Sequence, residues 1–255
     1  MRADQLLVHS GLAQTRSQAQ RLIAAGVRWR LPGAAWQPVR KNGDELPGAA
    51  ELQLLDAAEA RYVSRGGLKL EGALRALGWR VQGWRCLDIG QSTGGFTDCL
   101  LQHGAAQVVG VDVGHGQLDA RLRGDARVQA IEHCNARHLQ RAMVDPSGQG
   151  FALIVGDLSF ISLTLVLPAL LPCMDARTRL LLLVKPQFEL RPELLGKGGI
   201  VRDARHYEQV RQRIGQACAA HGLQLRHWLP SPITGGDGNR EFFIAAQRHA
   251  ADLNQ

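Results

Sequence analysis

From Arg85 onward, short apolar runs alternate with helix-like segments, and this alternation restricts the possible folds more than any other feature of the chain. The runs Arg85 to Ile89, Val108 to Asp112, Val128 to Glu132, Ala152 to Gly156 and Arg179 to Val184 each have strand length. Strands interleaved with helices predict a mostly parallel sheet covered on both faces, an α/β architecture. A helix over Tyr207 to His221 follows. The strands Leu223 to Leu229 and Glu241 to Ala246 are then joined through Thr234-Gly-Gly-Asp-Gly-Asn239, which predicts an antiparallel pair closing a seven-stranded sheet.

The chain has 255 residues, more than that sheet needs, so a small companion domain is expected ahead of it. Ala3 to Gly11 and Ser17 to Ala25 carry apolar residues at helical spacing, separated by a polar break at Gln14 and Thr15. The alternating run from Val27 to Leu31 reads as a strand, Pro32-Gly33 and Asn42-Gly43-Asp44 as turns, and Glu51 to Leu55 as another strand. Residues 1–58 therefore form a small α+β module, 59–65 a linker, and 66–255 the large domain.

The charge is unevenly spread. The formal net charge is +7, yet residues 1–41 hold Arg2, Arg16, Arg21, Arg28, Arg30, Arg40 and Lys41 against Asp4 alone. Clustered arginine binds phosphate through counterion release, without sequence preference. These seven residues, with Gln18 on the polar face of the second helix, are the candidate contacts to a polyanion.

Five scattered cysteines without a C-x-x-C pair argue against a disulfide framework or structural zinc, and His133, Cys134 and His138 lack a second ligand pair, so no metal is expected. Met1 to Gln20 lacks the apolar core of a signal peptide, and Phe151 to Pro172 is broken by Asp157, hydroxyl residues and proline. A cytoplasmic protein without a membrane span is expected.

The first large-domain strand runs into Asp88-Ile-Gly90, then Gln91-Ser-Thr-Gly-Gly-Phe96 and a helix. Gly90, Gly94 and Gly95 permit close approach of a ligand to the backbone, and Ser92 or Thr93 can supply a hydroxyl or cap the helix. A dinucleotide loop would place its second glycine where Ser92 stands. Asp112, at the end of the next strand, is placed to accept hydrogen bonds from ribose hydroxyls. Loop and acid together favour S-adenosylmethionine over NAD.

Ligands of open α/β sheets collect at the carboxyl ends of the strands. Asp157 follows the fourth strand and Lys185 the fifth, and Glu241 opens an antiparallel strand, so all three reach one edge. Lys69 joins them as a fourth candidate. The chain uses 26 arginines and only Lys41, Lys69, Lys185 and Lys197. Lysine, unlike arginine, can give up its proton when tuned by burial or a like charge.

Two resemblances follow from the motifs. Residues 1–27, with Gly11-Leu-Ala and Arg16-Ser-x-Ala-x-x-Leu-Ile, resemble the S4-type RNA-binding domain. Ser64-Arg-Gly-Gly-Leu-Lys69, Val111-Asp-Val-Gly-x-Gly-Gln-Leu118, Asp157-Leu-Ser-Phe-Ile-Ser162, Val184-Lys-Pro-Gln-Phe-Glu189, Gly196-Lys-Gly-Gly-Ile-Val-Arg-Asp203 and Ser231-Pro-Ile-Thr-Gly235 look like the TlyA family, haemolysin-named proteins similar to FtsJ-type ribose methyltransferases. The resemblance implies a Rossmann-like class I methyltransferase that uses S-adenosylmethionine for 2′-O-methylation of cytidine in ribosomal RNA. Ribosomal RNA or subunits are then the partners, and no stable protein partner is expected. The family's Lys-Asp-Lys-Glu tetrad falls on Lys69, Asp157, Lys185 and Glu241.

With positioning supplying most of the acceleration, Lys185 is expected to accept or stabilise the charge of the hydroxyl proton, tuned by Lys69 nearby. Asp157 and Glu241 orient the lysines. Asn135 is a candidate adenine contact. Gln91 and His115 depart from the family pattern, where alanine and an aromatic are usual. Amine methylation would call for Asp/Asn-Pro-Pro-Tyr/Phe where Asp157-Leu-Ser-Phe160 stands, and Cys173 lies too far past its strand to be a carbon-5 nucleophile. The remaining alternatives are a membrane-lytic protein, as the haemolysin name suggests, and a non-catalytic RNA-binding protein with a degenerate methyltransferase fold.

Overall fold

A computed structural model describes residues 1–13, 15–55 and 61–249. Two compact units form, Met1–Leu68 and the chain from Lys69 onward. Gln14 of the polar break, Glu59 and Ala60 of the expected linker, and residues 250–255 lie outside the described residues.

In the first unit, α1 (Ala3–His9) and α2 (Arg16–Gly26) pack on a three-stranded antiparallel sheet of β1 (Val27–Arg30), β2 (Gln37–Pro38) and β3 (Glu51–Leu54), with β1 central. Thr15 starts α2 by accepting the Gln18 backbone N–H on its hydroxyl, 3.1 Å. The helical stripe Leu6, Leu7, Ala19, Leu22 and Ile23 is buried with Val27, the burial that makes so small a unit hold together. Two-residue β2 escapes sequence reading because a short edge strand ending in proline carries no propensity signal.

The second unit holds most of α3 (Arg65–Leu77), followed by β4 (Arg85–Ile89), α4 (Gly95–Gln102), β5 (Gln107–Val111), α5 (Ala120–Arg123), β6 (Val128–Ile131), α6 (Arg141–Val144), β7 (Leu153–Gly156), α7 (Leu167–Leu170), β8 (Arg179–Val184), α8 (Pro186–Glu189), α9 (Ala204–Ala220), β9 (Leu223–Pro230) and β10 (Phe242–Arg248). The sheet order is β6-β5-β4-β7-β8-β10-β9, parallel except for β10, which runs antiparallel to both neighbours. The expected fold is thus observed, with strand ends moved by a residue or two. Asp112 lies just past β5 and Glu241 just before β10. Helix α9 starts three residues early because Asp203 caps it, accepting the Arg205 backbone N–H at 2.9 Å.

The run Leu180–Val184 is apolar on both faces, and all five residues are buried, as a central strand covered on both sides requires. Strand order reverses between β4 and β7, which opens a crevice at their carboxyl ends. Among the described residues no helix is long and apolar enough to cross a membrane. All five cysteines are free and buried. Burial pushes the Cys86 thiol up to about 12 and those of Cys173 and Cys218 up to about 11, which makes them poor nucleophiles.

Candidate active site

Register brings the charged residues together. Phe242 pairs with Val184 across β10 and β8, so Glu241 and Lys185 leave the sheet at the same level. Gly156 pairs with Leu182 on β8 and with Ile89 on β4, which sets Asp157 between the glycine loop and Lys185. Helix α3 supplies Lys69.

Two ion pairs result. Lys69 Nζ lies 2.6 Å from Glu241 Oε2, with side chains only 9% and 2% exposed. Lys185 Nζ lies 2.6 Å from Asp157 Oδ1 and donates to Ser159 Oγ at 2.7 Å. Burial raises the Glu241 carboxyl above its ordinary value, opposed chiefly by Lys69; Asp157 raises it further and Lys185 lowers it. The two pairs therefore feel one another, as an alternation of positive and negative groups must when little solvent screens them.

A cavity of about 460 Å³ lies on the Asp157 side of these pairs, bounded by Gly90, Ser92, Asp112, Asn135 and Asp157. At Gly90, φ is 81°, and a Cβ there would stand 2.9 Å from the Asp157 carbonyl oxygen. Only glycine lets strand β4 turn this close to β7. Asp112 accepts the Ser92 and Gly114 backbone N–H groups on its two oxygens, each at 2.7 Å. It ties down the loop while keeping lone pairs for a ribose. Asn135 accepts the Arg137 N–H at 3.0 Å and so turns the chain at the cavity's edge.

Several expected cofactor contacts lie elsewhere. Thr93, Gly94, Gly95 and Phe96 do not line this cavity. Phe96 is buried and stacks on Phe243, ring centroids 6.0 Å apart. Neither Ser92 nor Thr93 caps α4, since Gly94 occupies the N-cap with φ 94° and no side-chain bond. Asp88 is not a lining residue either. It is 1% exposed, beneath the loop, and accepts the Thr97 hydroxyl at 2.7 Å. Burial pushes its carboxyl up to about 7, against the Thr97 hydrogen bond.

The two departures from the family pattern find local explanations. Gln91 points inward and donates to Thr97 Oγ1 at 2.9 Å. It fits because Gly110 on β5 leaves the space, where a Cβ would come within 2.0 Å of the Gln91 amide. His115 stacks on His133, centroids 4.8 Å apart.

A second cavity of about 450 Å³ lies on the Lys185 side and includes Glu241, Gln187, Phe188 and Asp237. Ser159 and Phe160 belong to both cavities. Phe160 is 91% exposed and has φ 62°, an unusual conformation for an aromatic residue. Sequence reasoning passed over Phe160, Gln117, Gln187 and Asp237. For Phe160 a signal existed, because it stands where amine methyltransferases carry an aromatic.

In the first unit the basic residues fall into groups. Asp4 is fully buried, and Arg2 donates to both its oxygens at 3.1 and 3.0 Å while Arg16 adds a bond at 3.1 Å. Those bonds, Arg2 foremost, hold the Asp4 carboxyl well below the usual range. Arg30 pairs with Glu51 at 2.6 Å, Arg28 donates to Gln53 at 3.0 Å, and both guanidinium groups lie over Trp36. Arg21 donates to the Ser17 carbonyl at 3.2 Å. Arg40 and Lys41 are exposed, their backbone N–H groups held by Asp44. Gln18 is 4% exposed, buried within the module, because its position on α2 faces the core rather than the solvent side that holds Arg16.

Comparison with known proteins gives two family models. The FtsJ-like methyltransferase model matches residues 62–248 and the S4 domain model residues 1–26. YqxC of Bacillus subtilis is 45% identical over 243 residues, spanning 95% of this chain and 84% of its own. The 16S/23S rRNA (cytidine-2'-O)-methyltransferase TlyA of Mycobacterium tuberculosis is 44% identical over 248 residues, 95% of this chain and 88% of its own. The solved "Putative hemolysin from Streptococcus thermophilus" superposes with a TM-score of 0.75 at 39% identity, covering 98% of this chain and 89% of that one.

Proposed function

The chain belongs to the FtsJ-like methyltransferases, and within them to the TlyA proteins, and from that premise we propose that it transfers the methyl group of S-adenosylmethionine to the 2′-oxygen of a cytidine in ribosomal RNA. The observation that carries this reading is that the Lys185–Asp157 pair joins two cavities of similar size, Asp157 bordering the first and Lys185, with Glu241, the second. A two-substrate transfer needs that division.

The first cavity fits the cofactor. Asp112 offers carboxylate lone pairs to ribose hydroxyls, Val111 and Cys134 offer apolar wall to an adenine, and Asn135 stands at the edge. Gly90 keeps open the space a Cβ would fill, and Ser92 borders the same space. S-adenosylmethionine, when bound, supplies an electrophilic methyl group on a cationic sulfur. Asp88 and the Gly94–Phe96 segment act from beneath, holding the loop in shape.

Lys185 Nζ is assigned to the 2′-hydroxyl: in its neutral form the amine takes the hydroxyl proton and becomes the ammonium that Asp157 balances as the oxygen is methylated. Asp157 and Ser159 fix that amine from two directions. Glu241, which lines the second cavity beside Lys185, holds Lys69 in its ion pair. None of these groups bonds to the methyl, so their contribution is alignment and charge balance.

Residues 1–58 are assigned to RNA binding, 59–65 to the linker and 66–255 to catalysis. Arg21, Arg28, Arg30, Arg40 and Lys41 are assigned to phosphates. Arg2 and Arg16 hold the module together through Asp4 and offer their remaining N–H groups. The substrate is ribosomal RNA, free or in subunits, in the cytoplasm, with no stable protein partner. Neither a membrane-lytic nor a non-catalytic role gives the two converging ion pairs a task. The test is mass-spectrometric mapping of ribosomal RNA from cells with and without the protein. A 2′-O-methylcytidine that vanishes with the protein is expected, and an unchanged map overturns the reading.

A further inference from the structure

The second cavity has walls of distinct chemistry. Phe160 and Phe188 form an aromatic side, ring centroids 5.1 Å apart. Gly198, Gly199 and Gly236 contribute backbone only, and Asp237 stands at the edge. Aromatic rings lining a cavity together with bare backbone offer stacking contacts to a planar ring. Lys185 and Glu241 line the same cavity, so a ring there belongs to the nucleotide whose ribose meets Lys185.

Asp237 is held in place from two sides. It accepts the Asn239 backbone N–H at 3.0 Å on Oδ1, and on Oδ2 the amides of Asn239 at 2.9 Å and Gln187 at 3.0 Å. Burial, which raises its carboxyl, is outweighed by these bonds, so the group stays below its ordinary value. An ionised carboxylate only accepts hydrogen bonds. Oδ2 already takes two amides and Oδ1 the Asn239 N–H, with the Asp237 backbone N–H as a fourth contact, so a base amine shares Oδ1 with short-range backbone donors rather than filling a vacant direction. The bond to Asp237 also orients the Gln187 amide, since turning it would set oxygen against oxygen. Gly235 makes the approach possible, for a Cβ there would lie 2.6 Å from Glu241 Oε1 and 2.8 Å from Asp237 Oδ1. The base-edge acceptor and the ion pair beside the ribose thus meet across one glycine.

We propose that this cavity receives the target nucleobase and that Asp237, positioned by Gln187 and Asn239, accepts a hydrogen bond from the exocyclic amine of cytosine. Uracil presents a carbonyl oxygen at that place and meets the carboxylate acceptor to acceptor. The protein therefore selects cytidine over uridine by presenting an acceptor to the base edge. This inference rests on the ribose-methylation reading and adds the source of base selectivity to it.

The test uses the full chain, with ribosomal subunits as substrate and the methylated position already mapped. Subunits carrying uridine at that position are expected to be methylated about ten- to a hundredfold more slowly by the unaltered protein, the discrimination of a good base-edge contact. Asp237→Asn, whose amide can donate to the uracil oxygen, is expected to bring the two rates together. A discrimination unchanged in Asp237→Asn overturns the proposal. A role confined to holding the turn would slow both substrates alike, and that result overturns it as well. Should Asp237→Asn fail to fold, RNA bearing pyrimidin-2-one riboside at the target, which lacks the amine, is given to the unaltered protein. A rate as high as for cytidine then overturns the proposal. If the unaltered protein methylates no ribose in any subunit, the parent reading fails instead.

Discussion

Lys69 comes from the helix that opens the large unit and Glu241 from the residue just before its last strand, yet their charged atoms stand 2.6 Å apart with almost no access to solvent. Removing one partner of such a pair leaves the other buried and uncompensated. Glu241→Gln is expected to lower unfolding stability by roughly 3 kcal/mol in urea denaturation. The double variant Lys69→Met, Glu241→Leu is expected to recover most of it while remaining inactive, because packing can replace a buried pair energetically but cannot replace its charge. Equal losses in the single and double variants would contradict this account.

Lys185→Arg keeps a cation beside Asp157 but replaces an amine that can give up its proton with a guanidinium that cannot. Methyl transfer is expected to fall at least about a hundredfold, within the range of general acid–base contributions. Cofactor affinity, followed by calorimetry, is expected to stay the same, since Lys185 does not border the first cavity.

Phe160 is 91% exposed and makes little packing contribution. Phe160→Ala is expected to leave the melting temperature nearly unchanged and to lower kcat/KM for ribosomal RNA about tenfold, the loss of one base-stacking contact. Phe160→Tyr should retain activity.

The raised carboxyl of Asp88 has a pH signature. Its folded value is about 7 because burial disfavours the charged form. The unfolded chain titrates near the ordinary carboxylate value of about 3.9. Between those values the native state holds a proton that the unfolded state has lost, so stability contributed by Asp88 declines as pH rises from about 4 to about 7 and then levels off. Asp88→Asn should lack this decline. Denaturation curves of both proteins across that pH range give the comparison, and parallel curves would refute the assignment.

Arg40 and Lys41 are exposed at one turn of the small unit. Replacing both by glutamine is expected to weaken binding to ribosomal RNA across all sequences and to reduce the slope of log affinity against log salt by about one to two. Binding isotherms at several salt concentrations measure this, and an unchanged slope would place the phosphate contacts elsewhere.

Much of this protein could be read along the chain. Strand and helix periods reflect local burial, so the alternation from Arg85 onward reported the sheet and its order of elements. The closing antiparallel strand placed Glu241 at the edge that Asp157 and Lys185 share. The scarcity of lysine left four to consider, Lys41, Lys69, Lys185 and Lys197, and position relative to the sheet drew attention to two of them. The excess of basic residues in the first 41 was visible in the composition.

Other features came only from packing across the chain. Which lysine meets which carboxylate depends on strand register and on where α3 lies, neither of which is a local property. Gln18 and Arg16 lie two residues apart on one helix, but the turn of that helix buries one and leaves the other near solvent. Asp88 and Asp112 look alike as strand-end acids, yet one lies below the loop and the other borders the cavity. Phe160 and Asp237 border the second cavity only because two distant loops meet beside Lys185. The sequence by itself determined the elements and the chemical groups available at the sheet's edge, because backbone period and residue type are local. The tertiary structure alone decided which groups face one another, because burial and charge pairing act between residues that only folding brings into contact.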